Sequence, residues 1–202
     1  MLRLEIRRLD DNIVHIEGYV NSVCRDSKEI RAFGKQFVEQ VRAKVFEKAL
    51  RRNNDVKLLY NHRANRCLGT TKNNVELYED AIGLHISADI KDDEVRSDAD
   101  KGKLKGFSFG FNKLKDSWEQ IGDGKERRYL EDIRLNEISL LSMTPAYDGT
   151  VVETRAEGDE SEILELRFIE DEQKEVEKEK QENRSVDMSS VYDAELFLCK
   201  NL

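Results

Sequence analysis

The chain has 202 residues and a formal net charge of −8, and 38% of its residues are charged, against roughly 25% in an average globular domain. This length fits one domain of about 150 residues with an appendage, or two small domains. No segment approaches the ~20 apolar residues that span a bilayer, and the N-terminus lacks an apolar run of signal-peptide length, so we expect a soluble, unexported protein with no membrane partner.

The acidic charge is concentrated near the C-terminal end. Residues 155–182 hold twelve acidic and five basic residues, a net charge of −7, so residues 1–154 are close to neutral. Binding to nucleic acid needs clustered Lys and Arg that displace counterions. The near-neutral body, which has no basic stripe, therefore argues against nucleic acid as the main partner.

The three cysteines, Cys24, Cys67 and Cys199, form no C-x-x-C pair. Their odd number and spacing indicate neither a disulfide framework nor a zinc knuckle, which favours a reducing cytoplasm. A metal site built from His62, Cys67 and His85 would lack the usual ligand spacing. A cysteine enzyme that pairs Cys67 with His62 or His85 also has no supporting pattern, so we expect no metal and no cofactor.

The first half of the chain predicts a hairpin and a helix. Residues 2–7 and 13–20 alternate as strands around a turn-prone cluster at 10–12, and His15 in the second strand is expected to be structural. The spacing from 35 to 52 predicts an amphipathic helix that covers a sheet. Its apolar residues recur at three- and four-residue steps: Phe37, Val38, Val41, Val45, Phe46, Ala49 and Leu50.

His62 follows a short predicted strand at 56–60 and stands before a polar loop. Site residues are often carried where a rigid strand meets a loop, although a histidine bonded only by turn backbone also fits this position. Two further strands are predicted at 76–79 and 83–90, followed by a short helix at 92–101.

The strand predicted at 103–111 has two unlike faces. Successive side chains of a strand point to opposite faces, so Phe107, Phe109 and Phe111 form one face and Ser108 lies on the other, between two glycines. Glycine inside a strand allows another backbone or a ligand to come close. A peptide could therefore reach the Ser108 hydroxyl, while packing against a neighbouring element remains the simpler interpretation.

Glu137 lies in the strand predicted at 129–143, after a strand and hairpin turn at 114–124. Regular alternation places it on the apolar face of Ile133, Leu135, Leu141 and Met143, where a carboxylate needs a partner. A histidine N–H would serve, but Glu137 could instead face outward at a bulge or pair with a lysine. Beyond Pro145 we expect a short strand at 151–154 and a solvated helix at 170–182.

Ser108, His62 and Glu137 supply the three roles of an activated hydroxyl. A serine becomes a good nucleophile when a base takes its proton, and that base works best when a third group fixes its tautomer and stabilises its charged form.

Three segments in order resemble the signature blocks of the tailed-phage prohead proteases: LLYNH at 58–62, GFSFGF at 106–111 and NEISLLSMTPAY at 136–147. The segment IEGYV at 16–20 and the predicted helix at 37–50 also resemble the family's opening, so the similarity covers about residues 10–155. The family often has an acidic residue directly after the histidine, where this chain has Arg63.

The resemblance implies a serine endopeptidase related to the herpesvirus assembly proteases. Its fold would be α+β, a closed β-barrel of mostly antiparallel strands surrounded by helices. Residues 1–155 would form the protease domain and 156–202 an acidic, partly helical tail. By position, Ser108 matches the family nucleophile, His62 the general base and Glu137 the acid of the third block.

The resemblance also implies partners. Such proteases act inside the immature capsid, the prohead, in the host cytoplasm, where they remove the scaffolding segment of the major capsid protein and often cleave themselves. Dimerisation is expected only by analogy with the herpesvirus relatives. The acidic tail is interpreted as an assembly segment removed by self-cleavage, or as a plain solvated helix. A catalytically inactive scaffold protein with the same fold is the alternative function.

Overall fold

Strands make up most of the described structure. The computed structural model describes residues 4–9, 12–32, 34–122, 124–142, 150–153 and 163–168, all within the unit Leu2–Glu170. The described strands are β1 Glu5–Arg8, β2 Val14–Ser22, β3 Ile30–Ala32, β4 Lys35–Val41, β5 Lys57–Tyr60, β6 Arg63–Thr70, β7 Val75–Glu79, β8 Gly83–Ile90, β9 Gly106–Gln120, β10 Glu126–Leu141, β11 Thr150–Glu153 and β12 Ile163–Phe168. The described helices are α1 Val45–Arg52 and α2 Asp93–Asp100.

These strands form two sheets. The first has four antiparallel strands in the order β1-β2-β8-β7. The second has eight strands and is built on the long β9–β10 hairpin, with the order β11-β12-β9-β10-β4-β3. β5 runs parallel to the second half of β10, and β6 pairs with β5.

The apolar faces of both sheets and of α1 contribute to one buried cluster. Ile16 and Ile86 come from the first sheet, Phe109 from the second and Phe46 from α1. The rings of Phe46 and Phe109 meet edge to face with centroids 5.4 Å apart, the geometry that aromatic quadrupoles favour. This packing fixes the phenylalanine face of β9 against the core, so the opposite face of the strand points away from that cluster.

The expected α+β fold with a closed β-barrel surrounded by helices is wrong. The described part of the chain is mostly β with two short helices, and neither sheet closes. β1 and β7 end the first sheet, and β11 and β3 end the main path of the second. The expected helix at 170–182 lies outside the described residues.

The predicted helix at 35–52 is two elements, β4 and α1. Burial alternates along β4, with Phe37, Glu39 and Val41 facing inward, and β4 pairs in parallel with the first half of β10. Apolar residues at 37, 41 and 45 fit both a strand and a helix, so their spacing did not separate the two. A left-handed residue, Lys44 with φ 68°, lies between the two elements.

Most of the other strand and helix predictions within the described residues are confirmed, but the strands predicted separately at 103–111 and 114–124 are one strand, β9. The β1–β2 hairpin, the β7–β8 pair, α2 and the β9–β10 hairpin are all present. Three strands were missed: β3, β6, which replaces the polar loop expected after His62, and β12, which lies in the segment assigned to the tail. No described helix has the length and hydrophobicity to cross a membrane.

A cluster of buried charges holds β12 to the rest of the second sheet. Arg128 on β10 donates to both oxygens of Glu165 at 2.6 and 2.9 Å, and Arg167 donates to both oxygens of Glu39 at 2.7 and 2.9 Å. All four side chains are buried. Burial alone would lower the pKa of Arg128, but its bonds to Glu165 and the charge of Glu39 outweigh burial and raise that pKa.

Candidate active site

A left-handed turn at the end of β5 carries His62. Asn61 and His62 have φ values of 51° and 57°, a conformation that costs about 1 kcal/mol or more in a residue with a Cβ. Asn61 N donates to Leu140 O at 3.0 Å. The Asn61 side chain also exchanges two hydrogen bonds with Ser142, at 3.0 and 2.9 Å. These bonds to the end of β10 hold the turn.

The His62 ring is bonded to Glu137. Nδ1 lies 2.7 Å from Glu137 Oε1, and because a carboxylate only accepts, Nδ1 carries the hydrogen of this bond. The other ring nitrogen, Nε2, is then the one that can accept a proton. The side chains of His62 and Glu137 are 24% and 11% exposed, so the pair is only partly accessible to water.

Ser139 is hydrogen-bonded to both members of the same pair. Its hydroxyl donates to Glu137 Oε2 at 2.7 Å and accepts from the backbone N–H of His62 at 3.2 Å. The residue is fully buried.

Ser108 lies on the same face of the sheet as Glu137. In the β9–β10 register, Ser108 is opposite Ser139 and Gly110 is opposite Glu137, and opposite residues have Cβ atoms about 4.5–5.5 Å apart. Phe107, Phe109 and Phe111 lie in the core. The predicted division of this strand into a phenylalanine face and a serine–glycine face is therefore confirmed, and Ser108 itself is buried.

A β-bulge decides the face of Glu137. The register shifts between Leu135, which is opposite Phe111, and Glu137, which is opposite Gly110, so Asn136 is an extra residue. Leu135 consequently faces the core while Glu137 faces the side of Ser108. The expectation that Glu137 shares a face with Ile133 and Leu135 was wrong. The bulge of the alternative is present, but Glu137 is buried and not turned outward, and the predicted histidine partner of its carboxylate is confirmed.

Gly110 gives the Glu137 carboxylate its space. A Cβ at this position would lie 2.9 Å from Glu137 Oε1 and 3.1 Å from Leu166 Cδ2. We predict that Gly110→Ala displaces the oxygen that His62 holds and lowers any activity that depends on the His62–Glu137 pair by about ten- to a hundred-fold, because small misplacements of reacting groups have effects of this size. The rate constant of that activity would measure the change.

The matched control for Gly110→Ala is Gly34→Ala. At Gly34, φ is +70° and a Cβ meets nothing within 4 Å, so this change adds backbone strain without touching His62 or Glu137. It should lower the unfolding midpoint and leave the activity that depends on the His62–Glu137 pair unchanged. Equal rates for Gly110→Ala and the unaltered protein would contradict the steric argument.

None of the contacts described for His15, His85 and Cys67 involves His62 or Glu137. His15 Nδ1 bonds Asp89 at 2.7 Å on the first sheet, and His85 packs between the rings of Tyr19 and Tyr78. Cys67 is exposed on β6, and its thiol contacts Gly69 O at 3.4 Å. Within the described ranges, no group of three or more His, Cys, Asp or Glu side chains is arranged to hold a metal ion.

Sequence reasoning missed Ser139, Asn61 and Ser142. For Ser139 a signal was present, since a residue two positions after Glu137 lies on the same face of a strand. The Asn61–Ser142 bonds join residues 81 positions apart, and nothing in the local sequence indicates them.

Comparison with protein families agrees with the resemblance seen in the sequence. A family model described as caudovirus prohead serine protease matches residues 2–162, which include Ser108, His62 and Glu137. Comparisons with curated proteins and with solved structures gave no match. The match spans most of the chain and ends directly before β12, and on this basis the chain belongs to the caudovirus prohead serine protease family.

Proposed function

We propose that this protein removes the scaffolding segment of the major capsid protein during prohead maturation and cleaves its own chain. In this proposal Ser108 is the nucleophile, His62 the general base and Glu137 the acid that orients His62. The family indicates a serine protease that acts on capsid proteins inside the procapsid of an infected host cell. The observation that carries the residue roles is the His62 Nδ1–Glu137 bond on the face of the sheet that bears Ser108.

The proposed chemistry follows from the tautomer that this bond selects. Ser108 Oγ attacks the carbonyl carbon of the scissile peptide while His62 Nε2 takes the hydroxyl proton. The resulting imidazolium is stabilised by Glu137 and gives the proton to the leaving amine, which leaves an acyl-enzyme. Water, activated by the same histidine, then releases the acyl group as a carboxylic acid and frees Ser108.

The alternative, an inactive scaffold protein with the protease fold, is less consistent with the arrangement. A buried carboxylate and a strained histidine turn both cost stability. An assembly protein gains nothing from placing that pair beside a serine. A protease gains general-base catalysis, worth roughly a hundred- to ten-thousand-fold in rate.

Co-expression with the capsid protein tests the proposal. The unaltered chain should shorten the capsid protein, itself or both, and Ser108→Ala should shorten neither, as judged by intact mass. Ser87→Ala, on the first sheet, is the control and should process as the unaltered chain does. If every variant leaves both proteins intact while particles still assemble, the scaffold function takes precedence.

A further inference from the structure

The Ser139 hydroxyl contacts both members of the His62–Glu137 pair. Glu137 has two oxygens, and they are held by different partners: Oε1 by the His62 ring at 2.7 Å and Oε2 by Ser139 Oγ at 2.7 Å. A carboxylate held at one oxygen can still rotate about its last bond, whereas two bonds fix its plane. Ser139 therefore determines how the carboxylate faces the imidazole.

The same hydroxyl also fixes the main chain that carries the histidine. His62 N donates to Ser139 Oγ at 3.2 Å, directly within the left-handed turn. Ser139 is on β10, two residues from Glu137, and its position in the sheet is set by pairing with β5 on one side and β9 on the other. One oxygen on a rigid strand thus connects the acid to the backbone of the base.

We propose that Ser139 is a positioning residue that holds Glu137 and His62 in the geometry needed to activate Ser108. The inference rests on the proposed function. Ser139 is fully buried and its hydroxyl hydrogen is used in the bond to Glu137 Oε2. It acts through the pair and does not attack the substrate, although it lies directly opposite Ser108.

We expect Ser139→Ala to lower the rate at which Ser108 reacts as a nucleophile by about ten- to a hundred-fold. Losing a residue that orients a reacting group, or displacing that group slightly, has effects of this size. Ser139→Thr keeps the hydroxyl and should recover most of this rate. Because one of the two bonds of Ser139 passes through Glu137, Ser139→Ala should cause a clearly smaller loss when Glu137 is already alanine, and the loss that remains reports the bond to the His62 backbone.

A fluorophosphonate probe tests this without knowledge of the cleavage site. Such a probe phosphonylates an activated serine and loses fluoride, so intact mass gives the labelling rate of the full chain and peptide mapping locates the label. The series comprises the unaltered chain, Ser139→Ala, Ser139→Thr, Glu137→Ala and the double variant, each with its unfolding midpoint.

The outcomes separate the two proposals. The positioning role is supported if the label is on Ser108, if Ser139→Ala slows labelling and Ser139→Thr largely restores it, and if Ser139→Ala slows labelling clearly less in the Glu137→Ala background. Equal labelling of Ser139→Ala and the unaltered chain overturns it, as does label on Ser139 or an equal slowing in the Glu137→Ala background. An unaltered chain that neither labels nor processes capsid protein instead contradicts the proposed function.

Discussion

His62→Ala should lower cleavage of the capsid protein by roughly 10⁴- to 10⁶-fold. In the proposed mechanism His62 is the group that takes the Ser108 proton, and losses of this size are typical when the base of such a trio is removed. The Glu137 carboxylate would also lose the partner at Oε1. Single-turnover cleavage of the capsid protein, followed by intact mass, measures the change.

The chain contains a matched control for this substitution. His15 is another strand-associated histidine with a carboxylate partner, Asp89 at 2.7 Å, but it lies on the first sheet. His15→Ala should cleave at the unaltered rate. A His62→Ala protein that retains more than about a hundredth of the activity would be inconsistent with a general base at this position.

Arg128→Met should reduce the free energy of unfolding by about 3–5 kcal/mol, the cost of removing one partner from a buried ion pair. Its side chain is 2% exposed, and its guanidinium donates twice to Glu165, to Glu39 at 3.2 Å and to Asp116 at 2.9 Å. Without it, Glu39 and Glu165 would share the guanidinium of Arg167. Methionine fills a similar volume but brings no charge, so the carboxylates remain buried without full compensation.

Chemical denaturation of the full chain measures this loss, and the neighbouring arginine provides the control. Arg127 points to the other side of β10 and pairs with Asp26 near the surface, where ion pairs contribute little. Arg127→Met should therefore unfold at nearly the same denaturant concentration as the unaltered protein. Similar midpoints for Arg128→Met and Arg127→Met would show that the buried cluster does not hold the sheet together.

The parts of this protein that follow local alternation could be predicted from the sequence. The faces of β9 follow from a period of two, which Phe107, Phe109 and Phe111 display without interruption. The position of Ser108 on the opposite face of β9 was predicted for the same reason. The predicted link between His62 and Glu137 depended on the family resemblance and on the need of an inward carboxylate for a partner.

The parts that depend on distant partners could not be predicted. Glu39 faces inward because Arg128 and Arg167 neutralise it, and those residues lie 89 and 128 positions away. When the positions of these arginines are unknown, Glu39 looks like an exposed charge. The alternation of β4 is then not visible in the sequence, and the segment resembles a helix. β12 was missed for a related reason. Glu165 and Arg167 are buried in ion pairs, but in the sequence they look the same as the solvated charged residues on either side of them.

The extra residue in β10 has a consequence for comparing such strands by alignment. Asn136 adds one residue to β10, and this shifts the alternation of the residues that follow it to the opposite faces of the sheet. Glu137 therefore lies on the side of Ser108. A related strand without this insertion would place its acid directly after the residue equivalent to Leu135. The two strands would then align correctly only with a one-residue gap, and an ungapped comparison would pair the acid of one with a neighbour of the acid in the other.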